Sequence, residues 1–105
     1  MALTALWDQQ MKAIGLDKLF DHNRAAYKAM AVEAYNYTAF ALKSSGELVR
    51  QDDVALHLQA QIELDDVLKA HLDGKKKAQQ FWPKRFTFLV VDRLWPELTA
   101  KGAVK

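Results

Sequence analysis

Five cations and two large aromatics fall within one short stretch of the chain: Lys75, Lys76, Lys77, Phe81, Trp82, Lys84 and Arg85, between Gly74 and Phe86. Lysine and arginine can offset phosphate charge, and phenylalanine and tryptophan can stack on bases or wedge beside a groove. These residue types together therefore point to a nucleic acid, DNA or RNA, held through its backbone. An ordinary reading uses the same residues differently. The lysines form a solvated link that suits the carboxyl end of a preceding helix, and Phe81 and Trp82 anchor a core. Arg50 and Lys69 are weaker additions to the basic set.

Other groups are poorer candidates for chemistry. Asp53 and His57 share a helical face, but His71 would have to join them, and no His-Glu-x-x-His spacing supports a metal site. Asp52-Asp53 and Asp65-Asp66 are adjacent pairs. Neighbours on a helix diverge by about 100°, so neither pair converges on a substrate, and helix caps explain them better. Ser44 and Ser45 sit in a turn without a positioned base, and four glycines supply no phosphate cradle. The expectation is a protein that is not an enzyme, with no cofactor and no metal.

Val54-Ala55 followed by Leu58 resembles the first helix of a helix-turn-helix DNA reader. Gln59 stands where such motifs carry glycine, and Asp65 and Asp66 would repel phosphate from the start of a recognition helix. An ordinary packed pair of helices is the expectation for this segment.

These residues have to be positioned by helices. Leu3, Trp7, Met11 and Ile14 mark one face of a helix ending at Gly15. Leu16, Leu19 and Phe20 follow as an apolar connector or extra turn, and Asp21 or Asn23 can cap what comes next. Arg24 to Lys43 contains neither proline nor glycine and is rich in alanine, which predicts a long second helix. Tyr27, Met30, Ala34, Tyr37 and Ala41 form one stripe on it, with Val32, Tyr35 and Phe40 off that stripe. A helix apolar on more than one side is central or half of an interface. Tyr27, Met30, Ala34, Tyr37 and Phe40 are thus candidate contacts for a partner, and self-association is expected there. Trp7, Trp82 and Trp95 suit either an interface hot spot or a core.

Arg50 to Leu72 is helical in pattern, either as one long helix or as two with a break near Leu64 that makes Asp65 a cap. Pro83 to Trp95 is read as a buried helix rather than a strand, with Pro83 in its first turn and Pro96 just past its end. No other segment alternates well enough to pair with a strand.

The 105 residues are 50% hydrophobic and 27% charged, with fifteen basic against thirteen acidic side chains and a net charge of +2. This predicts a packed, all-α domain spanning residues 1–105, a bundle of four or five helices with the second at its centre. There is no cysteine, so disulfides and thiolate sites are excluded and the cytoplasm is the expected compartment. Asp8, Gln9 and Gln10 interrupt the first apolar residues, so neither a signal peptide nor a membrane span is expected. The expected function is non-enzymatic binding of nucleic acid through residues 75–85. The alternative is a protein-interaction module, such as an adaptor, inhibitor or antitoxin-like subunit, that docks a partner through the exposed part of the second helix.

Overall fold

The computed structural model describes residues 3–100, without the side chains of residues 3–5, 7 and 76–78. Among these residues the fold is all-α, with six helices: α1 (Leu3–Ala13), α2 (Leu16–His22), α3 (Arg24–Leu42), α4 (Gln51–Glu63), α5 (Asp66–Leu72) and α6 (Lys76–Leu98). The Leu16 connector is thus a helix in its own right. No helix among the described residues is long and apolar enough to cross a membrane.

Two breaks follow from particular residues. Gly15 adopts φ +75°, a left-handed conformation that lets α1 stop and α2 leave at once. A Cβ placed on it would lie 3.4 Å from Cε1 of His71, whose Nε2 contacts the Ile14 carbonyl oxygen at 2.5 Å. Gly15→Ala is therefore expected to cost about 1–2 kcal/mol, mostly for backbone strain, read as a lower urea midpoint with an unchanged slope. At the second break, Asp65 caps α5: its Oδ2 accepts from the Leu68 amide at 3.0 Å, so α4 and α5 are two helices. Asn23 does not cap α3 through its side chain. Its Nδ2 instead donates to the Leu19 carbonyl at 3.0 Å and closes α2.

The last helix departs most from expectation. It begins at Lys76 rather than Pro83 and holds Pro83 and Pro96 inside it. Each ring removes a backbone donor, at a cost of about 3 kcal/mol for an interior proline. Burial outweighs that cost here, because Trp82, Phe86, Thr87, Leu89, Val90, Val91, Leu94 and Leu98 all lie in the core. The Thr87 hydroxyl is satisfied locally, donating to the Pro83 carbonyl at 2.7 Å.

The centre of the fold is consequently α6, which packs on α3, α4 and α5. The expected central helix, α3, buries only one stripe, Tyr27, Ala31, Ala34 and Thr38. Tyr27 lies between Phe20, stacked at 6.4 Å, and Phe86, edge-on at 5.0 Å. Outside the core, Arg24 and Lys28 pair with Glu97 and tie the start of α3 to the end of α6. Arg24 holds the Glu97 carboxyl below the usual carboxylate range.

Candidate interaction surfaces

Helix α6 separates the members of the basic and aromatic segment. Trp82 is only 9% exposed and belongs to the core, so its indole is not presented for stacking on a base. Phe81, one residue earlier and about 100° round the helix, is 57% exposed. Arg85 lies over both rings, its guanidinium carbon 5.2 Å from the centroid of Trp82 and 5.9 Å from that of Phe81. Its Nη1 donates to Oε1 of Gln10 on α1 at 3.1 Å. Lys75 points back to the preceding helix, where its Nζ donates to the His71 carbonyl at 2.9 Å. That is the expected use of a cation at a helix carboxyl end. Lys84 is exposed, and the side chains of Lys76 and Lys77 lie outside the described ones.

Carboxylates also enter this neighbourhood. Asp8 and Asp92 line a concavity of about 220 Å³ together with Arg85 and Phe88. Arg50 pairs with Asp53 at 3.5 Å, and Lys69 is exposed beside Glu63 around a separate hollow near α5. Phe81, Lys84 and Arg85 share one hollow of about 250 Å³, whereas Lys75, Trp82, Arg50 and Lys69 are engaged elsewhere, with acids interspersed.

The α3 candidates divide in the same way. Tyr27, 1% exposed, and Ala34, 7% exposed, are core residues, and Met30 is half-buried. Tyr37 and Phe40 are 60% and 77% exposed. Tyr37 meets His57 of α4 edge-on at 4.6 Å, and the two line a hollow of about 270 Å³ with Met30, Glu33 and Gln61. Beside His57, α4 turns Leu56, 72% exposed, and at its end Leu64, 69% exposed, to solvent. Large apolar side chains are thus exposed on both helices of the α3–α4 hairpin, with Glu33, His57 and Gln61 between them.

Leu56 and Leu64 were not among the residues predicted for an interface. The signal for them was present, since Leu56, Ala60 and Leu64 recur every four residues on the side of α4 away from Val54, Leu58 and Ile62.

The histidines go to separate tasks. His57 meets Tyr37, His71 meets the α1–α2 turn, and Asp53 pairs with Arg50. Among the described residues no group of three His, Asp or Glu side chains comes together to hold a metal ion. Compared with protein families, curated proteins and solved structures, the chain matches none.

Proposed function

We propose that this chain is a protein-interaction module whose docking surface is the outer face of the α3–α4 hairpin. The observation that carries this reading is the exposure of four large apolar side chains, Tyr37, Phe40, Leu56 and Leu64, on two packed helices. Single apolar residues on a surface are ordinary, but four large ones on two adjacent helices offer a surface from which another polypeptide can exclude water. The rim is polar, with Glu33, His57 and Gln61 available to fix orientation. The opposing reading, a nucleic-acid backbone along residues 75–85, loses support from the inward-facing Trp82 and from Asp8 and Asp92 near Arg85.

The two readings differ in their response to salt. Apolar docking persists as ionic strength rises, whereas each phosphate contact steepens the loss of affinity. The test is a native mass measurement on protein isolated from its own cells without nuclease. A co-purifying polypeptide retained at high salt is expected. Phe40→Asp combined with Leu56→Asp should release it, weakening binding on the order of a hundredfold, while changing stability by only about 0.5 kcal/mol per site. A bound polynucleotide that leaves as salt rises would overturn the proposal, as would a polypeptide held equally well by the double variant.

A further inference from the structure

The side of α6 turned away from its buried arc has an order of its own. Phe81, Phe88 and Trp95 recur at intervals of seven: Phe81 is exposed, while Phe88 and Trp95 are half-buried at the margin of the core, Trp95 with its ring 5.6 Å from that of Tyr35 on α3, and each keeps one edge in solvent. They span about 21 Å along the helix. Between the first two stand Lys84 and Arg85, and between the last two stand Asp92 and Arg93, of which Arg93 is turned to Asp21 of α2 at 3.9 Å. Two shallow hollows meet on this stripe, one of about 250 Å³ between Phe81, Lys84 and Phe88, the other containing Asp8 and Asp92, with Arg85 and Phe88 common to both.

The pattern is self-complementary about Phe88. Phe81 and Trp95 lie seven residues before and after it. Lys84 and Arg85 lie four and three residues before it, and Asp92 lies four after. A two-fold axis through Phe88 that sets a second copy of the helix antiparallel to the first brings Phe88 against Phe88 and Phe81 against Trp95. It also places the cationic stretch of each copy opposite the other copy's Asp92. A two-fold interface requires this property, since every residue on one side must suit its counterpart on the other.

From this ordering we infer that α6 pairs with α6 of a second copy, giving an antiparallel homodimer centred on Phe88. The heptad spacing supplies the apolar seam of a helix pair, and the charges set direction, since a parallel pairing would place like charge on like. Arg85 keeps its bond to Gln10 and contributes its charge from there. A polyanion fits this stripe less well, because it would meet Asp92 and Asp8. The seam is short, three aromatic layers, so the dimer belongs to the small class of interfaces and forms in a concentration-dependent manner. This inference is independent of the α3–α4 surface.

Sedimentation equilibrium on the full chain tests it, with single and mixed charge reversals at two exposed positions. The mass of the unaltered protein should rise towards twice that of one chain with concentration. Lys84→Glu sets carboxylate against Asp92, and Asp92→Lys sets cation against Lys84 and Arg85, twice in each dimer. Each variant alone should raise the dissociation constant on the order of tenfold or more. An equimolar mixture of the two should regain dimer, because in the mixed pair positions 84 and 92 again carry opposite charges at both ends of the seam, with Arg85 of the Lys84→Glu chain the one cation left facing a cation. Phe40→Asp should leave the equilibrium unchanged. A protein that stays monomeric at all concentrations overturns the inference. So does a dimer indifferent to both reversals, a mixture that fails to recover, or a dimer dissolved by Phe40→Asp instead.

Discussion

Phe86→Ala should lower the free energy of unfolding by about 3–5 kcal/mol, a large part of the roughly 5–15 kcal/mol typical of a domain. Phe86 is 0% exposed and meets the Tyr27 ring edge-on at 5.0 Å. It sits on the helix that α3, α4 and α5 all pack against, so its removal leaves a hole in the core beside Tyr27. The surrounding core is fully buried, and the less it can collapse into the hole the nearer the cost comes to the upper part of the range. Phe81→Ala, five positions earlier on the same helix, removes a ring that is 57% exposed and should cost less than about 1 kcal/mol. Urea unfolding followed by helical circular dichroism checks both. Equal losses for the two variants would mean that α6 turns a different face to the core.

That contrast also separates what is legible in the residues from what is not. Arg24 to Leu42 was legible because alanine-rich sequence without proline or glycine leaves few alternatives to a helix, and its end needs no tertiary help. Asp65 was legible as a cap only as one of two alternatives, because an acid on an apolar face needs amide donors but one long helix fitted the pattern as well. The rotation of α3 was not legible. Tyr27, Ala34 and Thr38 face inward and Tyr37 faces out, yet the sequence offers an equally apolar stripe through Tyr37. Only the neighbouring α4 and α6 decide between the two. Helix α6 misled for a related reason: prolines usually punctuate a helix, and local preference was overridden by the apolar area its central turns bury. The basic segment was visible as composition. The departure of Lys75 from it was not, since whether Lys75 reaches back to the His71 carbonyl depends on where α5 ends.

The same dependence on partners across helices governs the Tyr27–Asp65 pair, for which the second large effect is expected. The buried Tyr27 hydroxyl donates to Oδ2 of Asp65 at 2.6 Å, and that oxygen also accepts from the Leu68 amide. One carboxylate oxygen thus ties α3 to the α4–α5 break. Asp65→Ala removes the cap and strands a buried hydroxyl, a combined loss of about 2–4 kcal/mol. Tyr27→Phe leaves the cap in place and should cost about 1.5 kcal/mol. The double variant should lose less than the sum of the two, with a coupling of about 1–2 kcal/mol, because the stranded hydroxyl is gone. Burial, reinforced by the hydrogen bond and charge of Asp65, pushes the Tyr27 hydroxyl well above its usual range. The unfolded chain therefore gives up this proton first, at pH near 10.0. Its contribution to stability is complete below that pH and is lost as pH rises above it, at up to about 1.4 kcal/mol per pH unit. Comparing alkaline unfolding of the unaltered protein with that of Tyr27→Phe cancels the titration of the other tyrosines and the lysines. The variant should show the shallower decline, and parallel curves would mean that the Tyr27 hydroxyl titrates alike in the folded and unfolded chain.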